Sequence, residues 1–132
     1  MVLEVLCVGI LGLMVFVLGF NVSLKRVSSK VMTGVSDDPA SALNKAVRAH
    51  GNLVEFAPML AVLMLLAGEF GQPGIVADIL IVAATLGRVL AATGFLVCET
   101  LDKPHPLKAV GAILTYLGGA GLAVQVVIAA FV

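Results

Sequence analysis

A run of 20 uncharged residues between Glu4 and Lys25 is the feature of this sequence that most restricts its fold. A helix of about 20 apolar residues is long enough to cross the hydrocarbon core of a bilayer. Further apolar stretches follow, and together they predict four membrane spans at about residues 2–24, 42–68, 75–97 and 107–131. The mean hydropathy of +1.15 is higher than a soluble domain of this size needs, which indicates an integral membrane protein.

The connections between the predicted spans are short, and this favours an all-α, up-and-down antiparallel four-helix bundle formed by one domain, residues 1–132. Seven of the eight Lys and Arg residues lie in or beside the first and third connections, whereas the second has none. The positive-inside rule therefore predicts that these two basic loops face the cytoplasm and that both termini lie on the opposite side.

A polar stripe interrupts the second span. Arg48, Asn52 and Glu55 are spaced at i, i+4 and i+7, so that on a helix all three project from one face. Polar groups on an apolar helix are costly inside a bilayer, and they usually mark a functional site that faces the protein interior. His50 does not share this face, and we interpret it as a packing or surface residue.

Arg88 is predicted to lie at the same depth as Glu55. Glu55 precedes the predicted end of span two at Gly68 by thirteen residues, and Arg88 follows the start of span three at Ile75 by thirteen. At ~1.5 Å per residue, both lie ~20 Å from the turn that joins these spans. A lone arginine at this depth is unfavourable, so we predict an ion pair between Glu55 and Arg88.

The predicted pair has two interpretations. It either fixes helix register only, or it forms one wall of a cavity for an anionic ligand. In the second case Arg26, Arg48, Asn52 and Lys108 converge near the cytoplasmic surface and provide donors for carboxylates. Basic residues at span ends also serve as simple interfacial anchors.

Span four carries small residues at four-residue spacing, a pattern that permits close helix packing. They are Gly111, Thr115, Gly119 and Ala123. The spacing fits packing within one subunit and packing between subunits equally well.

These features together resemble the MAPEG family, the membrane-associated proteins in eicosanoid and glutathione metabolism. The resemblance rests on Arg48-x-x-x-Asn52-x-x-Glu55-Phe56-x-Pro58, on Gly87-Arg88 in span three, on the four-span layout and on the small residues of span four. It covers essentially the whole chain and is strongest toward the short bacterial members.

The resemblance implies a homotrimer in a bacterial inner membrane, with glutathione bound between subunits near the cytoplasmic side. The residues that match the glutathione site are Arg48, Asn52 and Glu55, with Arg88 supporting Glu55 and with Arg26 or its neighbour Lys25 as the basic contact from span one.

Two positions depart from the family pattern in ways that matter for chemistry. Phe95 stands where family enzymes commonly have a tyrosine, and Lys108 stands where they have an arginine proposed to activate the thiol. A cation near the thiol lowers its pKa and so favours the nucleophilic thiolate. Lys108 retains that charge and is the candidate thiolate stabiliser, whereas the hydroxyl is lost unless Thr115 or Tyr116 replaces it.

The expected function is that of a glutathione-dependent transferase or peroxidase, acting on a lipophilic electrophile or lipid hydroperoxide that arrives from the bilayer. The alternative is a non-catalytic membrane scaffold of the same fold that binds lipid or another anion. Cys7 and Cys98 lack neighbours at ligand spacing, so no metal site is predicted. No basic-aromatic pattern for nucleic acid is present in the sequence.

Overall fold

The computed structural model describes residues 2–71 and 74–131, and within these ranges four long helices account for most of the chain. Helix α1 comprises Val2–Ser29, α2 Ala42–Phe70, α3 Ile75–Val97 and α4 Pro106–Ala129. Each is long and apolar enough to cross a membrane. The chain is therefore an all-helical membrane protein with the predicted number of spans.

Helix α1 continues five residues beyond the span predicted to end at residue 24. The predicted span covered only the part of the helix inside the hydrocarbon core, but helical hydrogen bonding can continue in the polar headgroup region. The hydroxyls of Ser28 and Ser29 donate to the carbonyl of Lys25 in this last turn, at 3.0 and 2.7 Å. Lys30 then adopts a positive φ of 58°, a left-handed conformation that commonly ends a helix.

Helix α2 begins at a polar cap. The hydroxyl of Ser41 accepts a hydrogen bond from the backbone N–H of Asn44. The side chain of Asn44 in turn donates to the carbonyls of Ser36 and Asp38, at 2.7 and 2.9 Å. The first loop is thus tied to the start of α2.

Helices α2 and α3 occupy the middle of the bundle. Each contacts the other and also packs against both α1 and α4, whereas α1 and α4 make no helix contact across the described residues. The buried core, which includes Leu11, Leu53, Met64, Ile81 and Leu122, lies between these helices. Large apolar side chains such as Phe16 and Phe20 remain exposed on α1, as expected for a surface that meets lipid or another subunit.

The two basic loops lie at the same end of the bundle. The backbone N–H of Leu101, in the loop between α3 and α4, donates to the carbonyl of Pro39, in the loop between α1 and α2, at 3.2 Å. This contact agrees with the predicted antiparallel arrangement, although no sequence pattern indicates the hydrogen bond between the two loops.

Helices α3 and α4 approach closely because glycines face each other. A Cβ on Gly111 would lie 2.5 Å from the backbone nitrogen of Ala91 and 2.7 Å from the carbonyl oxygen of Gly87. A Cβ on Gly118 would likewise meet the backbone of α3, whereas one on Gly119 would meet only Leu60 of α2. Gly111 and Gly118 therefore serve packing against α3, and the stripe that faces α3 shifts from Gly119 to Gly118.

We expect Gly111→Ala to destabilise the protein by roughly 1–3 kcal/mol, because the new methyl group overlaps the backbone of α3. The matched control is Gly12→Ala in α1, where a Cβ meets nothing within 4 Å. Alanine has the higher helix propensity, so the control should be neutral or stabilising. Unfolding free energies in detergent provide the measurement, and equal effects of the two substitutions would contradict the close α3–α4 packing.

Candidate functional site

Arg88 is the most deeply buried charged side chain in the described ranges, with 2% of its surface exposed near the middle of α3. Its guanidinium donates from Nη1 to the backbone carbonyl of Asn52, at 3.1 Å, and from Nη2 to the side-chain oxygen Oδ1 of Asn52, at 3.0 Å. It also lies over the ring of Phe56, 4.8 Å from the centroid. These contacts join the centres of α2 and α3.

The predicted ion pair between Glu55 and Arg88 is wrong. Oε1 of Glu55 instead accepts from Nη1 of Arg48, two turns earlier on the same face of α2, at 3.3 Å. Equal depth is not sufficient for contact, because the direction around the helix axis also has to match. At 100° per residue, Asn52 and Phe56 point toward α3, while Glu55 lies almost directly above Arg48 on a more exposed face.

Asn52, Arg88 and Lys108 line one small chamber between α2, α3 and α4, which we call the Arg88 chamber. It has a cavity volume of about 50 Å³ and is partly open, and its wall consists of Asn52, Phe56, Arg88, Ala91, Phe95, Lys108, Ala112, Thr115 and Tyr116. Three of the residues predicted for the site are thus brought together. Thr115 has its hydroxyl hydrogen bonded to the carbonyl of Gly111, at 2.7 Å, so Tyr116 is the hydroxyl with greater freedom.

The position of Lys108 depends on another close approach. A Cβ on Gly94 would lie 2.7 Å from the backbone nitrogen of Lys108, so the first turn of α4 rests directly on α3. The ammonium Nζ of Lys108 donates to the carbonyl of Lys103, at 2.8 Å, and lies 3.5 Å from that of Leu101. Its charge therefore stands where the third loop meets the chamber.

Phe95 is flanked by two cations. Cζ of Arg48 lies 5.7 Å from the ring centroid, and Nζ of Lys108 lies 5.6 Å from it. The aromatic face attracts both charges and helps to keep them at the loop end of the bundle. In the sequence, Phe95 is notable only because it lacks the hydroxyl of a tyrosine. Its contacts with Arg48 and Lys108 join three helices, so no sequence pattern predicts them.

The remaining predicted residues lie outside the chamber. Arg26 donates to the carbonyls of Val31 and Gly34, at 3.4 and 3.0 Å, and so stabilises the first loop. Arg48 borders a separate pocket of about 370 Å³ between the two basic loops. Glu55 borders an apolar groove of about 370 Å³ between α2 and α4.

His50 faces away from the chamber, toward α1. Its Nε2 lies 3.3 Å from the position that a Cβ on Gly19 would occupy, which agrees with the interpretation of His50 as a packing residue.

Unfolding measurements can test whether Arg88 depends on Asn52 or on Glu55. We expect Asn52→Leu to lower the free energy of unfolding by roughly 1.5–3 kcal/mol, because it removes the side-chain acceptor from a buried guanidinium. The matched change Glu55→Gln should cost less than about 1 kcal/mol, because the Arg48–Glu55 pair is half exposed. Denaturation in detergent ranks the two, and a larger loss from Glu55→Gln would restore Glu55 as the main partner of Arg88.

Comparison with known proteins gives one positive result. Residues 5–128 match the model of the MAPEG family. No curated protein and no solved structure shows significant similarity to the chain. Because the match spans nearly the whole sequence and the four apolar helices agree with it, the chain belongs to the MAPEG family.

Proposed function

We propose that this protein is a glutathione-dependent membrane transferase or peroxidase that acts on a lipophilic electrophile or a lipid hydroperoxide. MAPEG membership supports a glutathione-related role in the membrane. The observation that carries the proposal is the gathering of Arg48, Arg88 and Lys108 around Phe95 and the Arg88 chamber. Glutathione carries two carboxylates and an ionisable thiol, so a group of cations complements it.

The glutathione site extends, in this proposal, from the chamber toward the basic loops. Arg48 stands between the ring of Phe95 and the pocket formed by the two loops. Its guanidinium is half exposed and can pair with a carboxylate of the tripeptide. Asn52 and Arg88 fix the inner wall, Glu55 holds Arg48 in place, and Arg26 orders the first loop.

Lys108 is proposed to stabilise the thiolate. Its ammonium lowers the pKa of a neighbouring thiol by favouring the charged form. The thiolate sulfur then attacks the electrophilic carbon, and a carbon–sulfur bond forms as the leaving group departs with its electron pair. In the peroxidase case, the sulfur attacks the outer oxygen of the hydroperoxide, so that a sulfur–oxygen bond forms as the oxygen–oxygen bond breaks. The lipid alkoxide takes up a proton and leaves as the alcohol, and a second glutathione converts the glutathione sulfenic acid to the disulfide with release of water.

The second substrate is proposed to arrive through the groove between α2 and α4. Met59, Leu60 and Leu63 give it an apolar wall, and Glu55 lies at its border. Tyr116 borders both this groove and the Arg88 chamber, so the two spaces adjoin at its ring. A lipophilic compound in the groove therefore lies next to the site proposed for the thiolate.

Assembly as a homotrimer, with glutathione between subunits, is part of the proposal. Exposed apolar side chains on α1 and along the α2–α4 groove provide surfaces for subunit contacts or lipid. We also propose that the basic loops face the cytoplasm of a bacterial inner membrane, because positively charged loops are retained on that side.

One observation favours the alternative of a non-catalytic scaffold that binds lipid or another anion. The ammonium of Lys108 already donates to the carbonyl of Lys103, at 2.8 Å. A scaffold would keep Lys108 in this structural bond, whereas an enzyme directs its remaining hydrogen toward the thiolate.

Substitution of Lys108 tests the proposed reaction. We expect Lys108→Ala to lower turnover on the order of 100-fold, because the developing charge loses a cation, while glutathione binding changes little. Lys108→Arg should retain much of the activity. Lys103→Ala is the control. It keeps the backbone carbonyl that accepts from Lys108 and removes only the exposed ion pair with Glu99.

Two measurements separate the outcomes. Thermal stability at millimolar glutathione reports binding, and the ultraviolet absorbance of the bound thiolate reports ionisation. Wild-type protein with no glutathione-dependent stabilisation would overturn the proposed function. Binding without a thiolate signal would favour the scaffold.

A further inference from the structure

Arg88 forms no direct ion pair within the part of the chain that the structure describes. Both hydrogen bonds of its guanidinium go to oxygens of Asn52, which are neutral. Glu55 pairs with Arg48, and the other described ion pair joins Lys103 to Glu99 in the third loop. A buried charge in a membrane protein is normally compensated by an opposite charge, because neutral acceptors replace only part of its lost hydration.

The donors of Arg88 are also incompletely used. Nε is buried and has no hydrogen-bond partner among the described residues. A guanidinium has five N–H donors, and buried donors are rarely left unsatisfied in native structures. This second observation points to a group that accepts hydrogen bonds and is absent from the polypeptide itself.

The Arg88 chamber provides a space of suitable size and charge. Its wall includes two cationic side chains, Arg88 and Lys108, and no carboxylate. The cavity volume of about 50 Å³ is several times the ~10–15 Å³ that a cavity needs in order to hold one water molecule. The chamber therefore has room for a small anion as well as for water. A chloride ion takes about as much space as a water molecule.

We propose that the Arg88 chamber binds a monovalent anion of halide size, which serves as the counter-ion of Arg88, with Lys108 as the second cation of the site. Water in the chamber would satisfy a donor but leave the charge uncompensated, so the electrostatics favour the anion. The proposal does not rest on glutathione chemistry. It concerns the resting protein and explains how an arginine is maintained at this depth.

The test compares salts in the absence of glutathione. Purified wild-type protein in detergent is heated in sodium bromide, sodium chloride and sodium gluconate at equal ionic strength. Gluconate is too large for the chamber and controls for screening. A halide present at ten times its dissociation constant should raise the unfolding midpoint by about 4 °C relative to gluconate.

Two substitutions on α4 test whether the halide acts inside the Arg88 chamber. Ala112→Leu fills the chamber and leaves both cations in place, since Ala112 is part of its wall. Ala109→Leu is the matched control, because Ala109 is exposed on the same helix and outside the chamber. The halide effect should disappear in Ala112→Leu and persist in Ala109→Leu. Lys108→Gln should weaken it.

Bromide in crystals of the wild-type protein provides a direct observation that needs no variant. Anomalous scattering should place bromide in the chamber beside Arg88. Equal midpoints in bromide and gluconate, a halide effect that survives Ala112→Leu, or a chamber that contains only water in bromide-grown crystals would each overturn the proposal. If halide stabilises the protein but glutathione does not, this inference is supported and the proposed function fails.

Discussion

The guanidinium of Arg88 and the oxygens of Asn52 form the interaction on which the arrangement of this protein depends. Arg88 has 2% of its surface exposed, so its donors require partners inside the bundle. Asn52 offers both its carbonyl and its amide oxygen, and this fixes the rotation of α2 relative to α3. Phe56 is thereby placed against the guanidinium, and Glu55 is turned away from it.

Close packing of α3 and α4 adds the third wall of the site. The glycines at this interface allow the two backbones to touch, and Gly94 brings the start of α4 against α3. Lys108 and Tyr116 consequently stand near Arg88 although they lie on a different helix. A cation that the fold places at the loop end can act on a ligand from the aqueous side, while the groove beside Tyr116 opens along the apolar part of the helices.

The structure gives a physical account of residues that depart from the family pattern. Phe95 has no hydroxyl, but its ring lies between Arg48 and Lys108 and contacts both cations. Its contribution is to position charge and not to donate a proton. Arg26, which matches a basic contact of the family, instead bonds the carbonyls of its own loop. The three cations of the proposed site, Arg48, Arg88 and Lys108, therefore come from α2, α3 and α4.

The sequence by itself determined the four membrane helices, because an uncharged apolar run of sufficient length has few other stable states in water or lipid. It also marked Asn52, Arg88 and Lys108 as polar groups that need partners. Only the tertiary structure decided those partners. Counting residues gives depth along a helix, but contact also depends on rotation about the axis, and that is set by side chains packing across α2, α3 and α4. For this reason Glu55 pairs with Arg48, while Arg88 binds Asn52.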